Sequence, residues 1–228
     1  MMGHWPTLFI PIALALSFFI ETSSWWIRIY ASANNVGQYI SSSNIYLYGG
    51  RFFALVFSLL LALEIESGSD PFDIALLFCI SFFVSSLFQL PLFHYQIRRF
   101  LLKYISFFLR LPSPNFDKPK QEEPVLFQIR SLFFSTLIST ILFSVGITIP
   151  LFIASIFIEN RLSISNLGQL INSFGMIILL FLVDKKLYYS LDQGYLYQTV
   201  KVYTIARLAA FVLVSLLYAG LCMVFLYE

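Results

Sequence analysis

Charge is what this sequence has least of. Its 14 Lys and Arg and 12 Asp and Glu make up 11% of 228 residues, against about a quarter in a soluble domain. Histidine is confined to His4 and His94, and cysteine to Cys79 and Cys222. No His, Cys or acidic cluster has ligand spacing, so there is little from which to build a metal centre or a histidine-based active site. The two thiols lie in apolar runs and read as small hydrophobes, not as a disulfide. The N-terminus lacks the basic n-region of a secretory signal, and Pro6 and Pro11 interrupt its apolar segment. That segment is therefore expected to stay as a first span, without cleavage at Ala13-Leu14-Ala15. No soluble catalytic domain fits either, because about six spans of about 20 residues use up the chain.

What is present is apolar. Hydrophobic residues reach 59%, with 26 Phe and 13 Tyr, and mean hydropathy is +0.82. The expectation is an all-α integral membrane protein with six transmembrane helices and interfacial amphipathic helices. The first span runs from Trp5 to about Tyr30, and the polar stretch 31–44 is either a loop or an unwound segment. The second span is Ile45 to Leu63, interrupted early by Gly49, Gly50 and Arg51. Asp70-Pro71-Phe72-Asp73 has the N-cap, N1 and N3 residues of a helix start, and opens a third span over Ile74 to Phe93. His94 to Leu111 is a basic amphipathic helix, or an extension of the third span, with Arg99, Lys103, Ser106 and Arg110 on one face. Val125 to Ile158 is a fourth span bent near Gly146 or Pro150, and Glu159 to Asn166 is a turn. Leu167 to Val183 is the fifth span. A second interfacial segment, Asp184 to about Tyr203, leads to a sixth span over Thr204 to Tyr227, with Arg207 in its first turn.

Basic residues give the orientation. Arg98, Arg99, Lys103, Arg110, Lys118, Lys120 and Arg130 surround the connection after the third span, which should be cytoplasmic. Six alternating spans then place 13 of the 14 Lys and Arg on the inner side, leaving only Arg161 outside. Both termini are expected outside.

The ionisable residues near the bilayer are the candidate site. Glu21 and Arg28 are seven apart and can share a helix side. Such groups are costly in lipid and usually face a bundle interior or a wet cavity. The plainer alternative is that they snorkel to the interface, where Trp25 and Trp26 mark the headgroup level. Arg28, Arg51 and Arg207 are expected at inner-side span ends, where planar guanidinium groups suit a phosphate. Asn34, Asn35, Gln38, Asn44 and Asn172 can hydrogen-bond a polar ligand. Glu21 can balance an Arg in the empty state or carry a proton, and Asp184 is a second candidate for coupling or charge balance. No catalytic residue, metal, cofactor or nucleic-acid partner is expected.

Four prolines at positions 112 to 124 mark a linker between a first half, 1–111, and a second, 125–228. Ser41-Ser42-Ser43-Asn44-Ile45 and Ser163-Ile164-Ser165-Asn166-Leu167 occupy matching places before the second and fifth spans. Three spans per half makes the halves inverted, as in many transporters with a central substrate site. Gly37, Gly49, Gly50, Gly168 and Gly175 permit broken helices there, or serve ordinary helix packing.

Glu21-Thr22, Arg28 and Ala31, followed by Gly37, resemble the signature of the Amj-type lipid II flippases of bacterial peptidoglycan synthesis. Ser165, Gly168, Ile171-Asn172 and Asp184 are similar to that family's later block, with departures at Ser173 and Lys185. The resemblance implies movement of undecaprenyl-pyrophosphate-linked disaccharide-pentapeptide, lipid II, to the outer leaflet of the bacterial cytoplasmic membrane. It implies a transporter among membrane lipids, not an enzyme. The alternatives are a membrane enzyme acting on lipid phosphates and a non-transporting scaffold for cell-wall synthesis.

Overall fold

A computed structural model describes residues 5–31, 35–111, 126–157 and 161–226. Asn34 and the Pro-rich linker lie outside them. Among the described residues every regular element is helical. The helices are α1 (Trp5–Arg28), α2 (Val36–Glu66), α3 (Pro71–Gln89), α4 (Tyr95–Phe108), α5 (Leu126–Ile156), α6 (Arg161–Ile178), α7 (Lys185–Asp192) and α8 (Leu196–Leu226). A 3-10 turn over Leu90–Leu92 follows α3, and a π-helical turn over Leu179–Asp184 joins α6 to α7.

Among the described residues five helices are long and apolar enough to cross a membrane: Leu8–Arg28, Val36–Glu66, Pro71–Leu92, Gln128–Ile156 and Leu196–Leu226. The chain is thus an all-α, membrane-embedded protein. The expected fifth span is not among these five. Its residues are divided between α6, which opens with polar sequence, and the π turn.

Several boundaries differ from expectation. The segment 36–44 is neither loop nor unwound, since α2 is already helical there and runs on through Gly49, Gly50 and Arg51 without interruption. The connection before the expected fifth span ends earlier too, because α6 begins at Arg161. The paired Ser/Asn motifs therefore lie in the opening turns of α2 and α6. Arg207 is not in a first turn. Helix α8 starts at Leu196, burying Leu196, Val200 and Tyr203, and this carries Arg207 eleven residues, about 16 Å, into the helix. The N-cap at Asp70 forms as expected, with its carboxylate accepting from the Phe72 N–H at 3.0 Å. Gly68 and Gly194 turn the chain with φ of +83° and +82°, a conformation that suits glycine at helix ends.

Helix α1 packs along α2 and α3, α5 packs along α6 and α8, and α3 and α8 pack on each other. Glycines set two of these contacts. A Cβ on Gly50 would stand 3.1 Å from the Ser17 carbonyl of α1, and one on Gly168 would stand 2.6 Å from the Gly146 carbonyl of α5. Helices can approach this closely where no side chain intervenes.

The apolar interior has two parts. One gathers Ile10, Leu14, Phe18, Phe57, Phe78, Phe82, Phe211 and Tyr218 at the end where α1 begins and α8 finishes. The other gathers Trp25, Trp26, Tyr39, Leu102, Leu132, Leu187 and Tyr203 at the opposite end, beside α4 and α7. Glu21 and Arg207 come between them in sequence and in the bundle. Helix α4 is a separate element rather than an extension of α3. Its Arg98, Leu102 and Ser106 turn inward, while Arg99, Lys103, Phe107 and Phe108 face out, so Ser106 does not share the basic face. Arg98 is 4% exposed. It donates from Nη1 to the Leu92 carbonyl at 3.0 Å and lies 4.4 Å from the Trp26 ring centre, which fastens α4 to the 3-10 turn and to α1.

Candidate functional site

A cavity of about 300 Å³ opens between α1 and α2 on one side and α5, α6, the π turn, α7 and α8 on the other. Glu21, Arg28, Asn44, Arg51 and Asp184 all line it, together with Tyr188 and Tyr203. These residues come from four separate parts of the chain, and five of them are among the candidates read from sequence.

The helices set their depths. Arg28 ends α1, and Glu21 stands two turns, about 10 Å, further in. Asn44 is eight residues into α2, and Arg51 is again two turns deeper. The wall thus has an outer level of Arg28, Asn44 and Tyr188 and a deeper level of Glu21 and Arg51.

Arg28 does not snorkel: it is 2% exposed. Its Nε donates to Ser43 Oγ at 2.7 Å, Nη2 to Asn44 Oδ1 at 2.8 Å and Nη1 to the Tyr188 hydroxyl at 3.1 Å. Ser43 donates its own hydroxyl hydrogen bond to the Ile40 carbonyl at 2.9 Å, which leaves its oxygen free to accept. The guanidinium also lies 4.0 Å from the Trp25 ring centre, a favourable cation–π distance. Among the described residues every hydrogen bond of Arg28 ends on a neutral oxygen. Trp25 and Trp26 are themselves buried, not ranged along the lipid surface, and Trp26 Nε1 donates to Thr204 Oγ1 of α8 at 3.0 Å.

Glu21 forms an ion pair with Arg207. Its Oε2 accepts from Arg207 Nη2 at 2.7 Å, while Arg207 Nη1 donates to the Tyr203 hydroxyl at 2.6 Å. Arg207 is thus held behind the cavity wall. Asp184, the last residue of the π turn, interacts electrostatically with both Glu21 and Arg28. π turns widen a helix locally and recur at functional sites, and here Leu179, Leu180 and Asp184 of that turn face the cavity. Arg51 is exposed, with its guanidinium 5.3 Å from the Tyr48 ring centre. Neither Arg51 nor Arg207 lies at a span end as expected, because α2 and α8 both start well before the apolar runs do.

Other candidates are not brought together here. Asn35 and the exposed Gln38 flank the start of α2, away from the cavity lining. Asn172 points its Oδ1 at Gly146 in the α5–α6 contact. Sequence reasoning missed Ser43, Tyr188 and Tyr203. The only signal for the two tyrosines was a cluster of five between 184 and 203. Among the described residues no group of three or more His, Cys, Asp or Glu gathers as metal ligands would.

Compared with known proteins, the chain matches no family model, no curated protein and no solved structure.

Proposed function

We propose that the protein is a flippase for undecaprenyl-pyrophosphate-linked peptidoglycan precursor, lipid II, in the bacterial cytoplasmic membrane. One observation carries this reading: Arg28 presents a buried guanidinium, bonded to neutral groups, in a cavity that Arg51 also lines. A buried guanidinium that hydrogen-bonds no carboxylate among the described residues suits an anionic head group in a cleft inside a membrane protein. Pyrophosphate supplies the charge, and Asn44, Tyr188 and Tyr203 supply polar contacts for what it carries. Met176 and Leu180, which are 41% and 52% exposed, also line the cavity. The prenyl tail can therefore remain among acyl chains while the head group enters beside α6.

In this reading α6 and the π turn form the fifth of six spans, and the halves 1–111 and 125–228, joined by the linker 112–124, are inverted repeats. The packing supports it, because exchanging α1, α2 and α3 for α5, α6 and α8 leaves the scheme of contacts unchanged. The end bearing α4 and α7 is cytoplasmic by its basic residues, and both termini are outside. Glu21 and Asp184 balance the empty site, and Arg207 holds Glu21 in place from behind the wall.

The test is transport in vesicles. Purified protein should accelerate the transfer of fluorescent lipid II between leaflets. Arg28→Ala and Arg51→Ala should each lower the rate about tenfold or more, since hydrogen bonds to charged groups are worth roughly 1.5–3 kcal/mol. Normal rates in both variants would remove the site. Release of phosphate or sugar by pure protein would indicate an enzyme instead.

A further inference from the structure

A second cavity, of about 340 Å³, lies at the α4–α7 end between α5, the π turn, α7 and α8. It shares no lining residue with the first. Its floor is apolar, from Ile129 and Leu132 of α5 and Phe181 and Leu182 of the π turn. Phe181 and Leu182 are 69% and 48% exposed, so this floor continues outward into the acyl-chain layer. Its rim is cationic, with Lys185 and Lys186 at the first residues of α7, and among the described residues no acidic side chain lines it. The candidate spans begin at Gln128 and Leu196 beside it, which sets the lysines at the headgroup level.

Lys186 is held in place. Its Nζ donates to Ser131 Oγ at 2.7 Å, its partner among the described residues, and burial lowers its pKa from the ordinary lysine value. Beside it the Tyr195 hydroxyl donates to Gln128 Oε1 at 3.0 Å. A partly desolvated ammonium with a neutral partner is stabilised by an anion, and an apolar trough open to lipid is filled by a chain. Basic pockets between helices at the membrane surface take anionic headgroups on the same grounds.

We infer that this cavity is a binding site for an anionic glycerophospholipid of the bilayer, with its phosphate on Lys185 and Lys186 and an acyl chain along Phe181 and Leu182. The site does not depend on what the first cavity carries.

The full-length protein in phosphatidylcholine nanodiscs, doped with phosphatidylglycerol carrying a diazirine on one acyl chain, tests it. Phosphatidylglycerol should label the 179–186 segment well above a phosphatidylcholine probe with the same chains. Each lysine is worth about fivefold, so Lys185→Gln with Lys186→Gln should lose about 25-fold, while Lys186→Arg keeps labelling and controls for folding. Equal labelling by both probes, labelling confined to other segments, or an unaffected double variant would overturn the proposal. Efficient competition by water-soluble glycerol phosphate would overturn it too, by making the ligand a free anion.

Discussion

Glu21 of α1 and Arg207 of α8, 186 residues apart in sequence, meet with Oε2 2.7 Å from Nη2. The two partners are unequal: the Arg207 side chain is 3% exposed and that of Glu21 is 35% exposed. Removing the carboxylate strands a buried cation, whereas removing the cation leaves a carboxylate that water in the cavity can reach. Glu21→Gln should therefore cost about 2 kcal/mol, below the roughly 3–5 kcal/mol of a fully enclosed pair. Arg207→Met should cost about 1 kcal/mol, by the same discount for exposure. Thermal unfolding followed by tryptophan fluorescence checks the order, and the reverse order would show that Glu21 is not the partner that steadies Arg207.

Arg28 and Arg51 should respond differently to lysine. Arg28 divides its donors among Ser43, Asn44 and Tyr188, a planar fork that an ammonium does not reproduce. Arg51 is exposed and has a single aromatic neighbour among the described residues, so a point charge serves. Arg28→Lys should behave like Arg28→Ala in transport, and Arg51→Lys should stay within about threefold of the parent, a loss of well under 1.4 kcal/mol. Parallel rate measurements on the two variants decide this.

The glycines divide in the same way. A methyl at Gly168 meets the Gly146 carbonyl at 2.6 Å, which is backbone and cannot swing aside, whereas one at Gly220 meets nothing within 4 Å. Gly168→Ala should separate α5 from α6 and cost about 1–3 kcal/mol, as overpacking does. Gly220→Ala should be neutral. Thermal stability in detergent distinguishes them.

Arg98 gives a prediction about motion. It joins α4 to the Leu92 carbonyl and the Trp26 ring, while most of that helix faces out. Arg98→Ala should raise amide hydrogen exchange across 95–108 and leave α3 and α8 protected. Unchanged exchange in α4 would mean that Leu102 alone anchors it.

Much of this was legible in the sequence, for identifiable reasons. Scarce charge and long apolar runs gave the membrane class, and Asp70-Pro71 gave a helix start through local chemistry. Glu21, Arg28 and Arg51 stood out because ionisable groups are rare in such sequence, Asp184 entered through the resemblance, and all four line one cavity. Depth was misjudged because apolar runs mark lipid contact rather than helix length. Polar residues 36–44 and the Leu196–Tyr203 stretch are helical too, and this extra length moves Arg51 and Arg207 inward. The π turn and the Ser43 and Tyr188 contacts of Arg28 depend on how distant helices pack, which no local pattern encodes.

The central claim is that the anionic head of lipid II enters the cavity between α2 and α6. The most direct measurement places a photoreactive benzoylphenylalanine at Leu47, a cavity-wall residue between Asn44 and Arg51, and scores cross-linking to radiolabelled lipid II in vesicles. The account predicts a cross-link that disappears when Arg28 and Arg51 are both changed to Ala, with no cross-link to uncharged polyprenol. A cross-link that persists without both guanidiniums, or none in protein that transports normally, would contradict it.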